Sequence, residues 1–215
     1  MFIGHFGLSF AVKRATPRVN LATLFAAAQL PDLVWPVLVA AGVEQVRIDP
    51  GNTSFTPLAF VSYPWSHSLL LVAVWAAGFA VLHRLRTGDS RAFPVLIALV
   101  LSHWVLDFVT HRPDLPLYPG GPVYGLGLWN SVPATIAVEG ALFAAGAWMY
   151  QRSTRAVGIT GRWAFNSLVG VLLLAYVGNM LSAPPSVTAI WSGSLVGGLL
   201  LLAWAAWTDR NRAPA

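Results

Sequence analysis

The stretch Phe93-Pro94-Val95-Leu96-Ile97-Ala98-Leu99-Val100-Leu101-Ser102-His103-Trp104-Val105-Leu106-Asp107-Phe108-Val109-Thr110-His111 decides the fold. It is almost wholly apolar from Phe93 to Phe108, and with Val109 to His111 it reaches the length of ~20 residues needed to cross a bilayer. Yet it carries ionisable groups where each costs several kcal/mol, so they need a partner or a purpose. At ~100° and ~1.5 Å per residue, His103, Asp107 and His111 lie on one helix face. The first two, ~6 Å apart along the axis, can chelate one ion; His111, ~12 Å from His103, cannot join both on a straight helix. Pro113 disfavours helix at Arg112, so the chain should turn outward at His111.

Five more apolar stretches flank this one, approximately Leu21–Val43, Ser66–Leu85, Pro133–Tyr150, Ala164–Leu181 and Val187–Trp207. The expected fold is therefore all-α: a polytopic transmembrane bundle of about six spans, forming a single integral membrane domain over 1–215. The first span is interrupted by Pro31-Asp32 and by Pro36, which predicts kinks there. Composition agrees, with 56% hydrophobic and only 10% charged residues in 215, against about 25% charged in soluble domains. The 10 Trp and 11 Phe would overfill one water-soluble core. The absence of cysteine excludes disulfides, thiolate metal sites and thiol nucleophiles, so any metal must be held by nitrogen and oxygen.

The 13 Lys and Arg exceed the 8 Asp and Glu, for a net charge of +5. They are scattered between apolar stretches rather than clustered, which argues against a nucleic-acid partner. In a six-span arrangement all of them except Arg47 and Arg112 fall on one side. Loops rich in Lys and Arg stay cytoplasmic, so both flanks of the bundle are expected on the cytoplasmic side of the cell (inner) membrane. The loops Glu44–Trp65 and Arg112–Val132 are then expected outside. Residues 2–12 are apolar, but Lys13 and Arg14 follow rather than precede them, so a cleavable signal peptide fits poorly. This segment, too short to span, should lie in the interface or enter the bundle as a re-entrant helix. In the second case His5 reaches mid-membrane.

The polar residues that fall in apolar surroundings share one depth, from the midplane to the outer leaflet. Asp32, His67, His103 and Asp107 form an expected first metal site of two His and two Asp. His5, His111 and Glu139 are the expected ligands of a second ion or a general base. Ser66, Ser68, Ser102 and Asn130 are placed to orient them. Nitrogen and carboxylate donors suit zinc, and also manganese or ferrous iron. His83, between cytoplasmic arginines, is expected to have no such role. Chains of Asp, Glu and His also mark ion or proton pathways in transporters, but no second copy of the Pro31-Asp32 or His103-to-His111 pattern occurs in the carboxyl half. A non-catalytic metal-binding role is the other alternative. The spacing Gly193 to Gly197 predicts close helix packing, within the bundle or in a homo-oligomer, and Asn166 and Asn179 are expected in interhelical hydrogen bonds.

The order Gly4-His5, Pro31-Asp32, Ser66-His67-Ser68, His103 through Asp107, and a Gly- and Pro-rich loop from Pro113 to Gly127 resembles the YdjM-type membrane-bound metal-dependent hydrolases. The resemblance covers about 1–150, leaving 151–215 as two further packing spans. It departs from the family pattern at Leu33-Val34, where an acidic residue often follows Pro-Asp, and at Tyr63-Pro64-Trp65, which stand where Arg-Gly often precedes the hydroxyl-His-Ser. The pattern is also similar to the zinc sites of phospholipase C and P1-type nucleases, which implies one zinc on Asp32, His67, His103 and Asp107. Hydrolysis by metal-activated water is the expected chemistry, and position suggests Glu139 or His111 as base and Arg112, the basic residue at the outer mouth near the motif, to hold a phosphate. The expected substrate is a lipid-like or small phosphoester or ester entering from the outer leaflet, beneath a roof made by the Pro113–Gly127 loop.

Overall fold

The computed structural model describes residues 1–215. Its helices are α1 (Ile3–Val12), α2 (Leu21–Ala28), α3 (Leu30–Ala40), α4 (Pro64–His67), α5 (Leu69–Thr87), α6 (Ala92–Thr110), α7 (Val132–Ser153), α8 (Gly158–Leu181) and α9 (Val187–Arg210). Five of them, α5 to α9, are long and apolar enough to cross a membrane, and α2 with α3 makes a sixth if the bent pair is one span. Exposed Leu and Val stud the outer faces of α5, α8 and α9, including Leu174 at 72% and Leu181 at 78%. Helices apolar on all sides suit lipid rather than water.

The bend is 58° and falls at Gln29, earlier than the proline that causes it. Pro31 has no N–H to give and its ring crowds the carbonyl one turn back, so α2 stops and α3 restarts with Asp32 in its first turn. Pro36 lies inside α3 without breaking it. Span two is also shorter than the sequence suggests. Ser66 and His67 belong to the single turn α4, and extended Ser68 caps α5 by accepting from Leu71 N–H. At the other ends, α8 starts earlier than Ala164 and α9 runs beyond Trp207.

Helix α1 enters the bundle, with Ile3 to Gly7 and Phe10 buried, so it is not interfacial. Two glycines permit this. A Cβ on Gly146 of α7 would stand 1.9 Å from the Gly7 carbonyl oxygen, and a Cβ on Gly7 would stand 2.6 Å from that of Leu142. The backbones of α1 and α7 therefore touch, and Phe6 and Phe10 pack with Phe25, Phe143, Tyr150 and Phe165 in the main core. A second core joins α2, α5 and α6, to which α5 gives only the stripe Val72, Ala76 and Ala80.

The chain is all-helical as expected, apart from short strand pairs at both ends of the bundle. On the end bearing most basic residues, Thr154–Ala156 pairs with Arg212–Pro214, and Lys13 Nζ, buried, donates to the Val19 carbonyl and to Asp209. At the opposite end β1 (Gln45–Ile48) and β2 (Leu58–Ser62) form an antiparallel hairpin, and a two-residue ladder joins Leu115–Pro116 to Val123–Tyr124. The hairpin is tied down by Trp35 against Phe60 and by Phe55 N–H donating to the Trp129 carbonyl.

Candidate metal centre

Three separate helices bring four polar side chains to one point. Asp32 starts α3, His67 ends α4, and His103 and Asp107 lie one turn apart on α6. Asp32 Oδ1 is 3.3 Å from His67 Nε2 and 3.8 Å from His103 Nε2. Asp107 Oδ2 is 3.1 Å from His103 Nε2 and 3.8 Å from His67 Nε2. Donor atoms about 2.0–2.2 Å from one tetrahedral ion stand roughly 3.3–3.6 Å from each other. The spacing is thus that of ligands around an ion, and the group Asp32, His67 and His103, of which the two histidines are buried, could hold one.

The histidines face the centre through defined tautomers. His103 Nδ1 lies 2.7 Å from the Ala28 carbonyl, which can only accept. Nδ1 therefore carries the proton and Nε2 keeps its lone pair. Ala28 is the last residue of α2, where helix carbonyls lack intrahelical partners, so the break before Pro31 supplies His103 with its orienting acceptor as well as placing Asp32. His67 Nδ1 lies 2.7 Å from Ser66 Oγ.

His5 reaches the centre from α1. Its ring stacks on His103 with centroids 3.9 Å apart, and Nε2 is 3.2 Å from Asp107 Oδ1. The same oxygen accepts from the Met1 amino group, which also donates to Thr110. His5, His103 and Asp107 make a second group able to hold an ion. Asp107 thus turns one carboxylate oxygen to each group.

The remaining expected ligands are elsewhere. Glu139 Oε2 accepts from the N–H groups of Phe2 and Gly4, at 2.8 and 3.3 Å, and so caps the start of α1; Oε1 is buried without a partner. His111, instead of joining His5 and Glu139, places Nδ1 2.9 Å from Asp114 Oδ1. Tyr63 donates to that oxygen as well, at 2.9 Å. Burial, then the Asp114 charge, pushes the Tyr63 hydroxyl well above its usual pKa, so it remains a proton donor. Arg112 pairs with Asp114 and lines a small outer pocket with Arg47, apart from the metal groups. Ser68 caps α5, Ser102 donates to the Leu99 carbonyl, and Asn130 lies against Gly127, so of the four expected orienting residues Ser66 alone touches a ligand.

A cavity of about 620 Å³ opens onto these groups, within the roughly 300–1,000 Å³ common for ligand pockets. Asp32, His67, Asp107 and His111 line it together with Phe2, Phe6, Trp35 and Tyr176. Its roof is the Phe55–Phe60 part of the hairpin with Trp129. The Pro113–Gly127 loop is not that roof: Gly125 is pressed onto the backbone of His111 and Arg112, where a Cβ would stand 2.2 Å from the Arg112 carbonyl oxygen. Gly193 and Gly197 border the cavity and have no neighbour within 4 Å of a Cβ position. The close packing expected of them falls to Gly198, whose Cβ would meet Leu33 at 2.9 Å.

Sequence reading missed Glu44 and Asp114, both assigned to loops. Asp114 was signalled only by its spacing of three residues from His111. Glu44 had no signal beyond being one of 8 acids in the chain. Comparison with protein-family models, with curated proteins and with solved structures gives no match.

Proposed function

We propose that the chain is an integral-membrane metal-dependent hydrolase acting on a phosphoester or ester of a lipid-like substrate. The observation that carries the reading is the convergence of Asp32, His67, His103 and Asp107, with ligand-atom spacings of 3.1–3.8 Å, beside a largely apolar cavity. The ion is one zinc, in keeping with an all-nitrogen and oxygen donor set. His103 has a single free ring nitrogen and cannot serve two ions. A divalent ion there supplies Lewis-acid charge and lowers the pKa of water toward neutrality.

The chain's own residues divide the remaining tasks. His111 is the general base, because donation from Nδ1 to Asp114 leaves Nε2 as the basic nitrogen of a ring that lines the cavity. Glu139 holds α1, and through it His5, in place. Phe2, Phe6, Trp35 and the Gly193–Gly197 wall receive the apolar part of the substrate, while Asp32, the most exposed of the four ligands with 40% of its side chain accessible, faces the reacting head group. With the basic end in the cytoplasm, the site opens toward the extracytoplasmic half of the cell membrane.

Purified full-length protein incubated with phospholipids, lysophospholipids and isoprenoid phosphates is the test. Product release that stops with a chelator and returns with Zn²⁺ is expected. No turnover of any ester or phosphoester in this panel overturns the reading. Gly197→Leu, which projects into the cavity, is expected to raise KM about tenfold for long-chain substrates while leaving metal content and short-chain turnover unchanged.

A further inference from the structure

We infer that Glu44 is a positioning residue that sets the His67 tautomer through Ser66, making a carboxylate–hydroxyl–imidazole relay behind the metal centre; this rests on the metal reading above. Glu44 follows α3, the helix that carries Asp32 in its first turn, and is 1% exposed. Its Oε1 accepts from the N–H groups of Trp65 and Ser66, both at 2.8 Å, and its Oε2 accepts from the Ser66 hydroxyl at 2.6 Å. A carboxylate holding three donors leaves the Ser66 proton no better acceptor; the Tyr63 carbonyl lies 3.5 Å away. Ser66 Oγ therefore offers only a lone pair to His67 Nδ1, 2.7 Å distant. His67 must carry its proton on Nδ1, and Nε2 is free to bind the ion. Glu44 thus does for His67 what the Ala28 carbonyl does for His103.

Glu44→Gln separates this role from simple packing. The amide oxygen must stay with the two backbone N–H groups, since only an acceptor serves them. The amide NH₂ then faces Ser66 Oγ and donates to it. Ser66 must turn its proton to His67 Nδ1, which moves the imidazole proton to Nε2 and blocks ligation. The variant keeps shape and volume, so the bundle is expected to fold.

The experiment measures Zn²⁺ affinity by calorimetry on the detergent-purified full chain, together with the ring-nitrogen signals of ¹⁵N-labelled histidine in metal-free protein. Glu44→Gln is expected to bind Zn²⁺ about 10- to 100-fold more weakly, with the His67 proton moved to Nε2. Adding Ser66→Ala removes the misdirected donor, so Glu44→Gln/Ser66→Ala is expected to bind Zn²⁺ more tightly than Glu44→Gln alone. Unchanged affinity and tautomer in Glu44→Gln, or a double variant weaker than the single one, overturns the relay. Absence of Zn²⁺ binding by the unsubstituted chain overturns the metal reading instead, and the nitrogen signals still decide the tautomer.

Discussion

His103→Ala protein is expected to lose its divalent ion, with affinity at least about 100-fold below the unsubstituted chain. Second-layer substitutions at metal sites cost about 10- to 100-fold, and His103 is the residue common to both groups able to hold an ion. Its loss removes a ligand 3.1 Å from Asp107 and 3.8 Å from Asp32, and leaves two carboxylates facing one fewer donor. His103 is also fully buried on α6, so truncation leaves a cavity and the Ala28 carbonyl without its partner. Stability must therefore be followed in parallel. His83→Ala, on the basic side of α5, is the control and is expected to change neither metal content nor melting. Equal metal retention in both variants would remove His103 from the centre.

Gly146→Val is expected to dislodge α1. Its Cβ would fall 1.9 Å from the Gly7 carbonyl oxygen, a backbone atom that cannot swing aside. Overpacking of a core typically costs 1–3 kcal/mol, and this contact belongs at the upper end because two helices must separate. Phe6 and Phe10 leave the main core with α1, Glu139 loses the N–H groups it caps, and His5 withdraws from Asp107. Gly140, on the same helix, has open space around its Cβ position. Gly140→Ala is accordingly expected to be neutral or to stabilise by up to ~1 kcal/mol through helix propensity. Thermal unfolding in detergent measures both, and equal midpoints would show that α1 does not depend on the glycine contact.

The parts of this architecture that the sequence makes legible are those set by local periodicity and charge. Long apolar stretches mark the helices, Pro31 marks the break in the first of them, and spacing alone puts His103 and Asp107 on one face of α6. Proximity between distant segments is another matter. Gly7 and Gly146 touch only because α1 turns into the bundle, and neither glycine carries a local sign of the other. The Gly193-to-Gly197 spacing is the converse: the motif allows close packing without saying what lies opposite, and here a cavity does. Glu44 reads as a loop residue because its partners, Trp65 and Ser66, lie across a hairpin whose strands are short. The break at Gln29 was legible as a kink, but its gift of the Ala28 carbonyl to His103 depends on how α2 meets α6.

The proposed chemistry depends on one ion held by Asp32, His67, His103 and Asp107. X-ray absorption at the zinc edge on the purified, unsubstituted chain, with metal counted per chain on the same sample, tests it most directly. One zinc per chain is expected, with a first shell of nitrogen and oxygen at about 2.0–2.2 Å and outer-shell scattering from two imidazoles that falls to one in His67→Ala. Zinc at background level, or outer-shell imidazole scattering unchanged by His67→Ala, would contradict it.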